Sequence, residues 1–311
     1  MDHAIGIDFG GTTIKSALVR EGEILERGAI IDTRKCGTPE AIVDALVEVA
    51  AELSSHAKGQ VRALGIGLPG IIDSVNGIVH ELTNVPGWKE VALGDLLRQR
   101  TGLPSKIEND VNAMAYGEWK YGAARNGLHV VCMTLGTGVG GGLILDGRLY
   151  RGAQLGAGEI GHMSLDYRGV PGPYGNFGAL EKYVGNNQIA ERAVLLYAAA
   201  GIQKNAECCT PMHLSVAADD GDPIALGLWE ALGAEIGATL ASVVWLLNPD
   251  TIVIGGGVAK AGERLFAPIR RELRARTIDI MHNRLRIVPA ELGNDAGIIG
   301  NATLALDSLS A

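Results

Sequence analysis

The chain runs twice through one order of events. Residues 4–8 form a short apolar run ending in Asp8, followed by Gly10-Gly11-Thr12-Thr13, a second run over 14–19, a polar turn at Arg20-Glu21-Gly22-Glu23 and a third run from Ile24. Residues 130–135 lead in the same way through Gly136-Thr137-Gly138-Val139-Gly140-Gly141-Gly142 into 143–145, an Asp146-Gly147 turn and Arg148-Leu149-Tyr150. Both read as strand, glycine-threonine turn, strand, acidic-glycine turn, strand. A repeat of this kind constrains the fold more than any local pattern, because it implies two lobes built alike. Each lobe would present a turn whose backbone N–H groups are unobstructed and flanked by hydroxyls, which is what a phosphate chain needs from a cradle. The same glycines would also serve an ordinary hairpin turn that needs positive φ. Two such turns facing across a cleft would hold a polyphosphate from both sides, with Asp8 at the mouth of the first.

A length of 311 residues leaves room for two lobes of ordinary size. The 44 glycines are about twice the usual share, and glycine is used where backbone turns sharply or approaches a ligand. A formal charge of -8 argues against general affinity for nucleic acid or anionic membrane. Cys36, Cys132, Cys208 and Cys209 have no CxxC spacing, a reduced pattern rather than a disulfide framework. With no leader-like segment before Ala4 and no apolar span long enough to cross a bilayer, the expectation is a soluble cytoplasmic protein that binds neither nucleic acid nor membrane.

Between and after the repeats the pattern is α/β. Thr38-Pro39-Glu40 opens an amphipathic helix to about Leu53, with Thr38 as N-cap and Pro39 at the first helical position. Residues 61–68 read as a buried strand ending at Pro69-Gly70, 73–88 as a looser region containing Asn76-Gly77 and Asn84, and 93–101 as a helix. Asn84 is a turn residue or a ligand contact. Residues 187–200 are helical, and Asp222-Pro223 caps a long apolar helix through Leu247. A strand at 251–254 ends in Gly255-Gly256-Gly257-Val258 before a helix from about Lys260, either a flat surface for a nucleotide base or a plain βα turn. Residues 285–288 are a last strand, and Asp295 caps a final helix of small and apolar residues.

Glu108-Asn109-Asp110 stands where a strand stops and a helix starts. Asp110 or Asn109 can N-cap that helix. Loops at strand ends are also where α/β proteins place reacting groups, so a carboxylate here serves capping, chemistry or both. The familiar alternatives lack their anchors: there is no GxxxxGK[ST], HExxH or GxSxG, and the glycines after Leu135 run into a strand rather than the helix a dinucleotide fingerprint needs.

IGIDFGGTTIKSALV at the start, LPGIID from 68, END at 108, TLGTGVGGGLI from 134, GAGEIGH from 156, LE at 180 and NPDTIVIGGGVA from 248 together resemble sugar kinases of the ROK family, in order and across nearly the whole chain. The resemblance implies a two-lobed actin-like ATPase (ribonuclease-H-like) α/β fold with the active site in the cleft between the lobes. Residues 1–118 plus about 297–311 would form the smaller lobe and 119–296 the larger. It implies an ATP-dependent transfer to the 6-hydroxyl of glucose, with Asp110 as general base. Gly70, Asn84, Asn109, Asp110, Glu159, His162 and Glu181 would line the sugar site. Gly10, Gly11, Thr12, Thr137 and Gly138 would form the phosphate turns, Gly256, Gly257 and Val258 the adenosine surface, and Asp8 an outer ligand of magnesium. Such chemistry needs positioning and charge neutralisation more than covalent help.

Many ROK kinases carry a zinc site written CxCGxxGCLE, whereas this chain reads Gly172-Pro173-Tyr174-Gly175-Asn176-Phe177-Gly178-Ala179-Leu180-Glu181. Gly172, Tyr174 and Ala179 stand at the thiolate positions, so no zinc is expected and His162 is left to serve the sugar. Tyr174, Phe177, Pro171 and Pro173 would then hold the loop. The family also implies a homodimer. Alternatives are a kinase for mannose, fructose, N-acetylglucosamine or N-acetylmannosamine, a polyphosphate-using glucokinase, and a sugar-responsive repressor. A repressor would carry a helix-turn-helix domain before the first glycine turn, which here begins ten residues in.

Overall fold

The computed structural model describes residues 2–82, 85 and 87–310; Asn84 lies outside the described residues. β1 (His3–Phe9), β2 (Thr13–Arg20), β3 (Glu23–Arg27), β4 (Ile31–Asp32), β5 (Val61–Leu68) and β9 (Ser105–Asn109) build the first sheet, in the order β3-β2-β1-β5-β9 with β4 paired to β2. Between them, β6 (Ile71–Asp73), β7 (Ile78–Glu81) and β8 (Lys89–Val91) form a small sheet of their own. β10 (Val130–Leu135), β11 (Val139–Leu145), β12 (Arg148–Tyr150), β13 (Thr251–Gly255) and β14 (Arg286–Pro289) build the second lobe's sheet, in the order β12-β11-β10-β13-β14.

The two orders are the same, and so are the directions. β1 is antiparallel to β2 and parallel to β5; β10 is antiparallel to β11 and parallel to β13. Both acidic-glycine turns take positive φ at both residues, Glu21 50° and Gly22 80° in one, Asp146 51° and Gly147 65° in the other. That conformation matches the twist of the strands it joins. The internal repeat in the sequence is therefore a repeat of structure.

Differences from the sequence reading have local causes. The segment at 73–88 is partly ordered sheet, because strands of three or four residues with exposed positions such as Ile71 leave too little alternation to read. Asp295 does not cap the last helix, Ala296–Asp307, with its side chain. Its carboxylate instead takes two hydrogen bonds from Arg27, at 2.9 and 2.8 Å. The helix Pro223–Leu247 is long and apolar enough to cross a bilayer by composition, contrary to the expectation of no such span, yet half of its most apolar stretch is buried within the lobe. Asp222 caps it through the N–H groups of Ile224 and Ala225, and it packs along Glu263–Arg276 through the close approach of Gly233 to Pro268.

Two helices join the lobes. Asp110–Tyr121 lies against β11, where a Cβ at Gly140 or Gly142 would collide with Val111 or Ala115. Ala296–Asp307 lies against β1 and β5, where a Cβ at Gly6 or Gly65 would stand 2.0 or 1.9 Å from the carbonyl oxygens of Ile298 and Asn301. The helices meet each other through Gly117 and Gly300; a Cβ on Gly300 would come to 1.8 Å from the Ala113 carbonyl oxygen. Glu118, fully buried, fixes the far end of this crossing by accepting N–H groups of Ala123, Glu291 and Leu292. Gly300→Ala is expected to destabilise the fold by about 1–3 kcal/mol through overpacking. Gly227→Ala, on an exposed helical face with open space around the new methyl, should be neutral or stabilising by up to about 1 kcal/mol. Thermal melts of the two variants check both.

Candidate active site

β9 runs into the cleft and ends at Asn109, whose extended backbone (φ -66°, ψ 141°) makes it the N-cap of Asp110–Tyr121. Its Oδ1 accepts the N–H groups of Val111 and Asn112 at 2.9 and 3.1 Å. The cap is thus Asn109, and Asp110 is the first residue of the helix. Asp110 spends one oxygen on the Val111 N–H at 2.9 Å. Asn109, expected at the sugar, has only its amide nitrogen free for a ligand, since its oxygen is occupied by the cap.

Two connected chambers meet at Asp110. The larger, about 930 Å³, is lined by Gly70, Asn109, Glu159, His162, Glu181 and the turn Gly136-Thr137-Gly138. The smaller, about 400 Å³, is lined by Asp8, Lys15, Gly255, Gly256, Lys260 and Asn294, with Ile254, Ala259, Pro289 and Ala290 as an apolar wall. Asp110, Val111, Thr134 and Gly256 border both. Desolvation pushes the Asp110 carboxyl up to about 6, with the nearby charge of Asp8 and, less, of Glu159 adding to the effect. Burial likewise raises Asp8, which Lys15, its cross-strand neighbour, partly opposes.

In the larger chamber His162 stands between two carboxylates, its Nε2 3.9 Å from Glu159 and its Nδ1 3.8 Å from Glu181. These are too long for hydrogen bonds, and the buried Nδ1 of His162 has no hydrogen-bond partner among the described residues. A Cβ at Gly138 would touch the Glu181 carboxylate at 3.2 Å, so the turn and Glu181 are neighbours. The turn itself is fixed by Gly136 N–H to the Gly138 carbonyl (3.0 Å) and Asn186 N–H to the Gly136 carbonyl (2.9 Å). The first turn is held from outside, by Thr33, whose Oγ1 donates to the Gly11 carbonyl (3.1 Å) and whose N–H donates to that of Thr12 (3.1 Å).

The loop at the zinc position does not fit a metal. Asn176 occupies the space beside Gly172 and donates to the His162 carbonyl at 3.1 Å. The Tyr174 ring stands edge-on to His162, centroids 5.1 Å apart. Among the described residues no group of three or more His, Cys, Asp or Glu side chains is placed to hold a metal ion. The expected aromatic anchoring is only partial, since Tyr174 is 80% exposed and Phe177 49%. Hydrogen bonds hold the loop instead: Pro171 and Phe177 pair as a short antiparallel bridge, and Ser164 Oγ donates to the Phe177 carbonyl at 2.7 Å.

In the smaller chamber, Gly256 has φ 88° and abuts the Leu135 carbonyl, so a side chain there is excluded twice over. The Val258 side chain is buried in the lobe core and can offer a ligand only its backbone. Lys15, Lys260 and Asn294 line this chamber without having been singled out in the sequence. Lys15 had a legible signal, a lone cation inside the apolar strand β2.

A two-lobed α/β ATPase-like fold with glycine-threonine turns and a carboxylate at the chamber junction defines a phosphoryl-transfer protein class. The ROK family profile matches residues 4–308. The chain is 34% identical to a glucokinase of Halalkalibacterium halodurans over 315 residues, 96% of this chain and 94% of that one. It superposes with a TM-score of 0.81 on a ROK family glucokinase from Streptomyces griseus in complex with glucose and AMPPNP, at 34% identity and covering 98% and 99% of the two chains. It is also 33% identical over 251 residues to the DNA-binding transcriptional repressor Mlc of Escherichia coli, 80% of this chain and 62% of that protein. The chain belongs to the ROK family.

Asp110 carries a stability consequence. Its folded-state value lies above the unfolded one, so its contribution is favourable in acid and is lost as pH rises toward and through about 6. At pH 7.5 Asp110→Asn is therefore expected to stabilise the protein by about 1 kcal/mol, allowing for solvent screening in the open cleft. Melts across pH should show the gain vanishing below about pH 4, near the ordinary carboxylate value.

Proposed function

We propose that the chain transfers the γ-phosphoryl group of Mg-ATP in line to the 6-hydroxyl of glucose, with Asp110 as general base. As a glucokinase-like hexose kinase it needs a proton acceptor between acceptor and donor sites. The observation that carries the reading is that Asp110 borders both chambers, one lined by Glu159, His162 and Glu181, the other by Asp8, Lys15 and Gly255.

The sugar's ring hydroxyls donate to Glu159 and Glu181 and engage His162 and the Asn109 amide, which turns the 6-hydroxyl toward Asp110. Asp110 takes its proton as the oxygen attacks phosphorus. A carboxyl at about 6 is ionised at neutral pH yet basic enough to accept a proton, which is the useful compromise for a general base. Backbone N–H groups of the turns at Gly10-Gly11-Thr12 and Thr137-Gly138, together with Lys15, neutralise charge on the transferring group. Magnesium arrives with the nucleotide as part of the substrate, and the mutually repelling Asp8 and Asp110 supply negative charge suited to a cation. The apolar wall of Ile254, Ala259, Pro289 and Ala290 supports a donor that carries a base, hence ATP rather than polyphosphate. A cytoplasmic homodimer, with lobes divided at 1–118 plus about 297–311 and at 119–296, completes the proposal.

A coupled ADP-release assay tests it over glucose, mannose, fructose, N-acetylglucosamine, N-acetylmannosamine and allose, with a parallel product assay using polyphosphate. Glucose with ATP should give the highest kcat/KM; a higher value for another sugar removes the glucose assignment. Asp110→Asn should lower kcat by at least ~10²-fold with sugar affinity little changed, and near-normal turnover would exclude Asp110 as base. For the wild type, kcat/KM should fall as pH drops through about 6, where the free protein's Asp110 takes up a proton.

A further inference from the structure

Glu108 is the one member of the Glu108-Asn109-Asp110 triplet that neither caps the helix nor faces the cavity. It lies near the end of β9 and is 2% exposed. Both its oxygens are taken. Oε1 accepts the Asn109 N–H at 3.0 Å and the Asn112 Nδ2 at 3.1 Å. Oε2 accepts Arg151 Nε at 2.8 Å and lies 2.6 Å from Arg151 Nη2. Arg151 belongs to the other lobe, directly after β12, and its carbonyl accepts the Ala157 N–H at 2.9 Å, closing the loop that delivers Glu159 and His162.

We infer that the Glu108–Arg151 ion pair is an inter-lobe strut that sets the distance between the base and the ring-hydroxyl ligands. Glu108 and Arg151 are positioning residues for the transfer. One carboxylate orients Asn109 and Asn112 around the base on one side, and on the other holds the guanidinium from which the Glu159–His162 segment departs. Nearly dry on the Glu108 side and forked on the Arg151 side, the contact has the geometry in which Arg cannot be replaced by Lys without loss of register. Phosphoryl transfer depends mostly on such register, and a displacement of about 1 Å can cost on the order of 10²-fold in rate.

The inference rests on the proposed hexose-kinase reaction for its kinetic readout but not for its structural one. Arg151→Lys keeps the charge and loses the fork; Glu108→Gln keeps the shape and turns an acceptor into a donor facing donors. Both are measured by steady-state kinetics and by hydrogen–deuterium exchange of residues 152–162. The expected result is exchange faster by several-fold in that segment with the helix Pro223–Leu247 unchanged, kcat lower by about 10- to 100-fold, a raised glucose KM and an ATP KM within about twofold of wild type. Unchanged exchange of 152–162 overturns the strut, and so does an equal loss of protection throughout both lobes in Arg151→Lys, which would make the pair a fold-wide support only. If the wild type phosphorylates no sugar, the function proposed above fails, and the exchange comparison alone decides the strut.

Discussion

The close crossing of Asp110–Tyr121 and Ala296–Asp307 is the contact on which the rest of the molecule depends. Two helices approach this closely only where glycine removes the side chain, and Gly117 and Gly300 do so at the same point. Each helix also lies in a glycine-floored groove, one across β11 of the second lobe and the other across β1 and β5 of the first. At this crossing the lobes are tied through backbone surfaces, which fixes the helix ends to within the tolerance of close packing. The N-terminus of Asp110–Tyr121 then has one place to be, at the junction of the two chambers that Asp110 borders.

That placement concentrates negative charge. Asp110 and Asp8 each sit where burial disfavours ionisation, and Asp8 further raises Asp110. A fold optimised for stability alone would not keep them; the proposed transfer, which needs a proton acceptor and a site for cation-bound phosphates, has a use for both. Glu108 shows the contrasting treatment of a carboxylate two residues away. Its charge is answered by Arg151 and two further donors, so it carries geometry instead of reactivity.

The loop over 171–178 stays folded without metal ligands. Asn176, Ser164 and the Pro171–Phe177 bridge supply hydrogen bonds where the family resemblance would put thiolates, and Tyr174 leans its ring edge on His162. The sequence showed that the sulfurs were missing. It could not show the replacement, because Asn176 acts on a residue fourteen positions earlier and its partner is a carbonyl group that any residue would have.

What the sequence determined by itself is whatever depends on neighbours along the chain. The two strand-turn-strand repeats, the caps at Thr38 and Asp222, and the strand end at Glu108-Asn109-Asp110 follow from local periodicity and backbone preference, and the structure keeps them. Tertiary structure alone decided which of Asn109 and Asp110 caps the helix, since either side chain can do so until the cleft is formed. It also decided that Asp295 answers Arg27 instead of its own helix, that Lys15 faces Asp8 near Asp110, and that Glu108 reaches Arg151 across the lobes. These pairs join residues far apart in sequence or on opposite sides of a turn, and their strength comes from burial and geometry that exist only once the two sheets are in place.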